Sequence, residues 1–297
     1  MRFSKIYILG AGAIGSLFGA LLSQKNKVEL IGEKEHILKI NSQGLKVKGS
    51  INKKFYLKGN TEIKEIPENC LILLTTKAHQ VKKAIEKIKN LVKNDTKILV
   101  LQNGLGQEKI IEKILTKKCE IIRAITYIAC EFLKPGEIKC WIDKKTILPN
   151  TKTAKKISIL FKEANLKVIL TKNLKKEIWR KLIVNSLIGP LTALFQVRNH
   201  EIAKKELKKV RLEILREGVK VAEKEGIKFE KNFIERVEKK LKSYTNFSSM
   251  CQDILKKRKT EIDFLNGKII ELAKKHKIEV PINETIYHLI KFLEEKS

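Results

Sequence analysis

A complete glycine-rich motif stands close to the N-terminus. Its residues read Gly10-Ala11-Gly12-Ala13-Ile14-Gly15 and lie between a strand-like apolar run and a helical pattern. In that setting the first glycine permits a tight turn, the second lets a pyrophosphate approach the backbone, and the third packs the helix against the strand. The helix N-terminus then faces the anion. The motif predicts dinucleotide binding, and the alternative is a merely tight strand–helix turn.

Two charged residues follow the second predicted strand, where a domain of this kind meets the adenosine ribose. Glu33 is suited to accept hydrogen bonds from both ribose hydroxyls and to repel a 2′-phosphate, which favours NADH. Lys34 is suited to pair with that phosphate, which favours NADPH. The alternative is that both are solvated loop charges. The expected cofactor is NADPH or NADH, with a slight preference for NADH because of Glu33.

Polar residues also directly follow two later apolar runs. Thr75-Thr76-Lys77 follows one run, and Gln102-Asn103-Gly104 follows the next. Ligands of open parallel sheets bind beyond the carboxyl ends of the strands. Because both segments fall on that edge, a role in ligand binding is favoured over ordinary turn chemistry.

A lysine and an asparagine share one face of a predicted helix in the second half of the chain. Lys181 and Asn185 are four residues apart, which places them one helical turn from each other. Ile178 and Leu182 are expected to pack inward beside them. A lysine in such a position is usually solvated, so spacing alone does not assign Lys181 a function.

The elements that must position these residues follow from the periodicity. The first half alternates short apolar runs with helical patterns, which is typical of βαβ units and a parallel sheet. Helical periodicity fills the rest, with Pro190 and Pro281 read as helix boundaries. The fold class is α/β, with an N-terminal Rossmann-type dinucleotide-binding domain over residues 1–171 and a C-terminal all-helical domain over 172–297. Strands are predicted over 5–9, 28–31, 70–74, 98–101, 121–129 and 137–148, a hairpin over 45–57, and long helices near 175–188, 201–224 and 246–275.

Composition limits the classes of partner. The chain has 297 residues, 43% of them hydrophobic, enough for two domains with buried cores. Lys and Arg number 63 against 33 Asp and Glu, a formal net charge of +30. The lysines run through the whole chain rather than forming one stripe, and they alternate with glutamate on helical faces, so no nucleic-acid partner is expected.

Cysteine use and hydropathy add further expectations. The five cysteines are scattered and form no Cys-x-x-Cys pair, so buried thiols are expected rather than a disulfide scaffold or a metal site. No apolar run is long enough to span a membrane, and the N-terminus lacks signal-peptide architecture. We therefore expect a cytoplasmic protein without a membrane partner. The expected partner is a small-molecule substrate, and a homodimer is left open.

Taken in order along nearly the whole chain, these motifs resemble those of the ketopantoate reductases (2-dehydropantoate 2-reductases). The matching segments are Gly10 to Gly15, Thr76-Lys77-Ala78, Gln102-Asn103-Gly104, Trp179 to Leu182 with Asn185, Pro190-Leu191-Thr192-Ala193, Asn246 to Asp253, and Thr260 to Gly267. The resemblance implies an NAD(P)H-dependent oxidoreductase in which the helical domain over 172–297 is the substrate and catalytic domain. Its reaction would be reduction of the 2-oxo acid 2-dehydropantoate to pantoate, in pantothenate and coenzyme A biosynthesis.

The same resemblance implies roles for individual residues. Lys181 matches the catalytic lysine, and Glu261 matches the acidic residue that works with it. Lys77 matches a lysine near the nicotinamide. The positions that bind substrate or orient the lysine are matched by Asn103, Asn185, Asn246 and Ser249. We hypothesise that Lys181 is the general acid, since an ammonium is both hydrogen-bond donor and acid. For Ser249, helix N-capping is a competing explanation.

Two residues depart from the family pattern. Gly189 stands where the family often has Asn before Pro-Leu-Thr-Ala, which removes one expected substrate-side amide. Glu33 stands where the family usually has Arg, which bears on the usual preference for NADPH. Two alternatives stay open: a paralogous reductase of another 2-oxo acid, and a non-catalytic dinucleotide- or nucleic-acid-binding protein.

Overall fold

The computed structural model describes residues 3–116, 119–141 and 145–296. The chain divides into two compact units. The first contains residues 1–102 and 106–174, and the second contains residues 103–105 and 175–297. The loop segment Asn103–Leu105 therefore groups with the second unit, although it follows a strand of the first.

The first unit is built around a six-stranded parallel sheet. In chain order its strands are β1 (Ile6–Leu9), β2 (Val28–Ile31), β5 (Lys58–Asn60), β6 (Leu71–Leu74), β7 (Lys97–Val100) and β8 (Glu120–Arg123). They lie in the spatial order β5-β2-β1-β6-β7-β8, which is the 3-2-1-4-5-6 arrangement of a Rossmann fold. Both β1 and β6 are buried along their whole length, as parallel strands covered on both faces must be. The predicted fold class is confirmed.

Five helices and two smaller sheets complete this unit. The helices are α1 (Ala13–Ser23), α2 (Lys34–Gln43), α3 (Val81–Ile88), α4 (Gln107–Leu115) and α5 (Lys152–Glu163). One small sheet has the order β10-β11-β3-β4 and the other β13-β12-β9. Their strands are β3 (Leu45–Gly49), β4 (Lys53–Phe55), β9 (Ile125–Thr126), β10 (Ala129–Lys134), β11 (Glu137–Trp141), β12 (Thr146–Pro149) and β13 (Val168–Thr171).

The two smaller sheets bear on the strand predictions over residues 45–57, 121–129 and 137–148. The hairpin predicted over 45–57 is confirmed, since β3 and β4 pair antiparallel. The continuous strand predicted over 121–129 is wrong, because β8 ends at Arg123 and β9 joins a different sheet. The prediction over 137–148 includes residues 142–144, which lie outside the described residues.

The second unit is helical and has its own apolar core. Its helices are α6 (Leu174–Phe195), α7 (Lys208–Lys224), α8 (Phe233–Leu241), α9 (Ser249–Leu255), α10 (Asn266–Lys275) and α11 (Pro281–Lys296). Trp179 and Leu182 of α6 are buried in that core, whereas Ile178, expected to pack inward, is half-buried.

Proline does not end α6, contrary to the sequence prediction. A proline in a helix leaves the carbonyl four residues earlier without its amide donor. Pro190 lies inside α6, and the carbonyl it deprives is that of Ser186. The side-chain amide of Asn266 donates to this oxygen at 3.0 Å. The helix can therefore continue beyond the proline to Phe195. Pro281, by contrast, is the first residue of α11, a position that suits proline.

Two predicted long helices are interrupted. The stretch 201–224 starts as short 3₁₀ segments before α7, and the Arg211 guanidinium donates to the carbonyls of Ile202 and Lys204 at 2.6 and 2.7 Å. The stretch 246–275 breaks after α9. There Lys257 adopts a left-handed conformation with φ of 53°, and the Arg258 amide donates to the Asp253 carbonyl at 2.8 Å. This is a Schellman ending that lacks the usual glycine.

The cysteines and the hydropathy of the helices complete the description. All five cysteines are free, and three of them (Cys70, Cys140 and Cys251) are buried. In the parts of the chain that the structure describes, no helix combines the length and apolar character needed to cross a membrane.

Candidate active site

The glycine loop joins β1 to α1 in the first unit. Gly10 has a φ of 112°, and a Cβ there would overlap the backbone of Thr76. A Cβ on Gly15 would overlap the Gly10 carbonyl, so only glycine fits either position. At Gly12, which caps α1, an added Cβ would meet nothing within 4 Å. The loop is therefore tight at both ends and open at its centre, in front of a helix N-terminus.

The carboxyl end of β2 lies beside this loop. The amides of Gly10 and Ala11 both donate to the Ile31 carbonyl, at 3.0 and 2.8 Å. Glu33 is the N-cap residue of α2, Lys34 is its first residue, and both are exposed. The predicted ribose-binding residues therefore follow directly the strand end that anchors the glycine loop.

A buried histidine that the sequence analysis did not identify is linked to the glycine loop by hydrogen bonds through Ser16. His36 in α2 accepts a hydrogen bond at Nδ1 from the Gly136 amide at 2.9 Å. Its Nε2 must then carry the proton, and it lies 2.9 Å from Ser16 Oγ. Ser16 Oγ donates in turn to the Ala11 carbonyl at 3.2 Å. Burial lowers the pKa of His36 to about 4, so the ring is neutral at pH 7.

The end of β6 brings Thr76 and Lys77 to the same loop. Thr75 Oγ1 donates to the Gly10 carbonyl at 2.8 Å. Lys77 is the N-cap residue of a short 3₁₀ segment. Thr76 Oγ1 accepts from the Gln102 side-chain amide at 3.4 Å, which links the ends of β6 and β7. Within the first unit, the structure therefore places Thr75 and Thr76 against the glycine loop, and Lys77 is the next residue along the chain.

The end of β7 is held by an arginine that no sequence motif identified. The Arg123 guanidinium, 8% exposed, donates to the Gln102 carbonyl at 2.6 Å and to the Gln107 side chain at 3.4 Å. Gln102 Oε1 is buried and has no hydrogen-bond partner among the described residues. A buried acceptor without a donor is costly.

In the second unit, Asn103 lies close to Glu261. The Asn103 side-chain amide donates to Glu261 Oε2 at 3.4 Å, and Glu261 is only 7% exposed. Gly104 has a φ of 81°, and a Cβ there would overlap the Phe264 carbonyl. The Leu105 amide donates to the same carbonyl at 3.2 Å. These contacts fix Asn103 against the segment that carries Glu261.

Helix α6 carries the predicted catalytic lysine. Lys181 and Asn185 are both half-buried and one turn apart, which puts them on one face of the helix. Gly189, one further turn along, is buried, and a Cβ there would contact the Met250 side chain at 3.4 Å. Met250 therefore lies in the direction in which a side chain at 189 would point.

Two adjacent serines at the start of α9 have different positions relative to the helix. Ser248 is the N-cap residue: its Oγ accepts from the Cys251 amide at 3.0 Å and lies 2.7 Å from Thr192 Oγ1. Ser249 is the first helical residue and is exposed. N-capping therefore does not explain Ser249. Asn246 is half-buried, and its side-chain amide donates to the Phe247 carbonyl at 2.9 Å.

No group of three or more potential metal-ligating side chains occurs among the described residues.

The fold and the glycine loop define a Rossmann-type oxidoreductase with a helical second unit. Two sequence models match the chain: "Ketopantoate reductase PanE/ApbA" over residues 6–152, and "Ketopantoate reductase PanE/ApbA C terminal" over residues 173–294. The chain belongs to the ketopantoate reductase family.

Individual relatives agree with this assignment. The 2-dehydropantoate 2-reductase of Pyrococcus horikoshii is 38% identical over 97% of this chain and 96% of its own length. The enzyme of the same name from Streptococcus pyogenes serotype M1 is 30% identical, with 96% of each chain covered.

Solved structures show the same fold. A ternary structure of D-mandelate dehydrogenase with NADH and anilino(oxo)acetate is 32% identical, with a TM-score of 0.90 over 98% of this chain and 99% of that one. The ketopantoate reductase of Ralstonia eutropha JMP134 has a TM-score of 0.91 with the same coverage, and at 24% identity it supports the fold alone.

Proposed function

We propose that this chain reduces 2-dehydropantoate to pantoate with a reduced nicotinamide dinucleotide, a step of pantothenate and coenzyme A biosynthesis. The observation that carries the proposal is the 38% identity, over nearly the full length, to a 2-dehydropantoate 2-reductase. The family models, which together span both units, support it.

The cofactor proposal rests on the shape and chemistry of the loop. The open space at Gly12 and the helix N-terminus behind it fit a pyrophosphate, and NADH is the cofactor in the D-mandelate dehydrogenase structure. The residues proposed to hold the dinucleotide are Gly10 to Gly15, Glu33, Lys34, Thr76, Lys77 and Asn103. When bound, the nicotinamide supplies the hydride.

The proton is proposed to come from Lys181. As the keto oxygen gains negative charge, an ammonium can stabilise that charge and then donate a proton to the oxygen. Glu261, held by Asn103, is proposed to orient Lys181 or to accept a substrate hydroxyl. Asn103, Asn185, Asn246 and the exposed Ser249 are proposed to bind the carboxylate and hydroxyl groups of the substrate, since amides and hydroxyls donate without adding charge.

A single variant tests this assignment. Lys181→Ala is expected to lower kcat for 2-dehydropantoate by about 10²–10⁴-fold, the usual contribution of a general acid. The matched control is Lys175→Ala, which removes an exposed lysine of the same helix and should leave kcat unchanged. Loss of reduced-nicotinamide absorbance, followed with NADH and with NADPH in separate assays, reports turnover. Undiminished turnover in Lys181→Ala would reject the lysine, and no turnover in the folded wild type would reject the substrate.

A second candidate is the reduction of another 2-oxo acid. It is favoured by the 32% identity to D-mandelate dehydrogenase and by Gly189, where the family often has Asn. Comparing kcat/KM for 2-dehydropantoate, phenylglyoxylate and 2-oxoisovalerate separates the two. A higher value for either of the latter acids would assign the chain to this second function.

A further inference from the structure

The first unit contains a pocket whose walls are dominated by lysine. It has a volume of about 610 Å³ and is formed by the end of α2, the β3–β4 hairpin and the turn between β10 and β11. Among the described lining residues, six are lysines and one, Glu137, is acidic; the lysines are Lys39, Lys46, Lys48, Lys53, Lys54 and Lys134. Glu137 forms an ion pair with Lys48. The lysines run through the whole chain, as the sequence analysis noted, and six of them line this pocket.

The pairing of strands places two lysines of the pocket opposite each other. Lys46 on β3 lies directly opposite Lys54 on β4 in the antiparallel register, and both are exposed. Like charges at directly opposed positions destabilise a sheet. The other strand beside β3 offers Glu137 opposite Lys46, but that carboxylate is shared with Lys48. Positive charge therefore exceeds what the pocket itself can neutralise.

Hydrogen bonds to the backbone hold the turn between β10 and β11 that lines the pocket. The Gly136 amide donates to the buried ring of His36, and the Gly136 carbonyl accepts from the Lys46 amide at 2.9 Å. The turn that carries Lys134 is therefore held on both sides. A preorganised site loses less entropy when a ligand binds.

None of the lining residues belongs to the predicted cofactor site. Glu33 stands at the start of α2, whereas Lys39 and Gly44 stand toward and just beyond its end. A ten-residue helix is about 15 Å long, so the pocket residues Gln43 and Gly44 lie about that far from Glu33. A pocket of this volume is of the size that holds a small molecule.

We propose that this lysine pocket binds a small oligophosphate, such as inorganic tripolyphosphate or the triphosphate of a nucleotide. Lysine ammonium groups are point charges that suit phosphate oxygens, and several phosphates in a row match lysines spread over two strands and a turn.

The test uses two double variants with equal loss of charge. Lys46→Gln/Lys54→Gln removes the opposed pair in the pocket. Lys155→Gln/Lys156→Gln removes two exposed lysines of α5 as the matched control. Binding of tripolyphosphate is measured by calorimetry at an ionic strength of about 0.15 M, where long-range attraction is screened. The titration is repeated with saturating NADH, which occupies the glycine loop if the proposed function holds.

Saturable binding that persists with NADH, weakens about tenfold or more in the pocket variant and is unchanged in the control supports the site, since two charge-assisted hydrogen bonds are lost. The pocket variant should also be at least as stable as wild type, because a repulsive pair is removed. Tighter binding of ATP than of tripolyphosphate would identify the ligand as a nucleotide tail. Equal weakening in both variants, or a short duplex DNA that binds more tightly than tripolyphosphate, would overturn the proposal. If NADH itself fails to bind, the comparison of the two variants still stands.

Discussion

Ser248 and Ser249 are adjacent residues of the same type, and only their backbone positions distinguish their roles. Ser248 and Ser249 both precede or begin α9, and either could cap it from sequence. The structure assigns capping to Ser248, whose Oγ is buried between the Cys251 amide and Thr192. The hydroxyl of Ser249 is left exposed at the helix start. Under the proposed function, this exposed hydroxyl is the one proposed to bind the substrate.

Substituting each serine should separate the two roles. Ser248→Ala is expected to lower the free energy of unfolding by about 1–2 kcal/mol, the usual cost of a lost N-cap. Ser249→Ala should leave stability within about 0.5 kcal/mol of wild type. It should raise KM for the 2-oxo acid about tenfold, because a hydrogen bond to a charged group is lost. Urea unfolding and steady-state kinetics measure both, and the reverse pattern would contradict the assignment.

Substitutions of the two adjacent charged residues at the start of α2 should change the cofactor preference in opposite directions. Glu33→Gln removes the carboxylate expected to repel a 2′-phosphate, so kcat/KM for NADPH relative to NADH should rise by about tenfold, as expected for roughly 1.4 kcal/mol. Lys34→Gln should lower the same ratio. Both side chains are exposed, so neither variant should unfold the protein. A ratio that is the same in both variants and wild type would mean that they are solvated charges without a role in cofactor binding.

At the scale of elements, α6 depends on a side chain that lies far along the chain. Asn266 replaces the amide that Pro190 cannot supply to the Ser186 carbonyl. It also donates to Asn283 Oδ1 at 2.9 Å, and Asn283 donates to the buried carboxylate of Glu217 at 2.7 Å. The helix interior and the start of α11 are thus joined by one buried polar network, in which one side chain bonds to the next.

A double-mutant cycle tests this compensation. Asn266→Ala should lower the free energy of unfolding by about 2 kcal/mol, because it leaves a buried carbonyl without a donor. In a Pro190→Ala background the same substitution should cost about 1 kcal/mol less, since the alanine introduced in place of the proline supplies the backbone amide itself. Urea unfolding of the four proteins gives the coupling energy. A coupling energy near zero would mean that the Asn266 bond does not compensate for the proline.

These examples show which elements can be predicted from sequence. Strands β1 and β2 were predicted closely because apolar runs are local signals. Pro190 was misread as a boundary because its compensating partner lies in a different helix, α10. The end of α9 was missed because Lys257 takes a conformation usually signalled by glycine. The contact of Asn103 with Glu261 joins residues 158 positions apart, and only the resemblance to a family placed both in one site.

At the scale of the whole molecule, charge and burial together determine the response to acid. The net charge of +30 grows as carboxylates are protonated, so acidification increases self-repulsion. Individual ionisable groups also contribute to stability, each over a narrower range of pH. Burial raises the pKa of Glu29, but hydrogen bonds from Lys5 and Asn60 outweigh it and leave the pKa lowered. A carboxylate of this kind contributes stability above its unfolded pKa of about 4.5, and that contribution is lost as the pH falls through its folded pKa.

His36 should govern a separate range at higher pH. Its pKa is lowered by burial from 6.5 to about 4, so between these values the unfolded chain binds a proton that the folded chain does not. Stability should therefore fall as the pH drops from 6.5 to about 4, by up to about 3 kcal/mol, and this component should level off below pH 4. Protonation would also oppose the Gly136 amide that donates to Nδ1.

The His36→Gln variant isolates this component, because glutamine offers a donor and an acceptor but does not titrate. The free energy of unfolding, measured in urea at a fixed ionic strength of about 0.15 M, should have no steep slope between about pH 6.5 and 4.5 in the variant. Below about pH 4 both proteins should lose stability in parallel, because the carboxylates are unchanged. His276, half-buried beside Glu225, provides the control. If His276→Gln, and not His36→Gln, removed the slope, the link between the glycine loop and the acid response would be rejected.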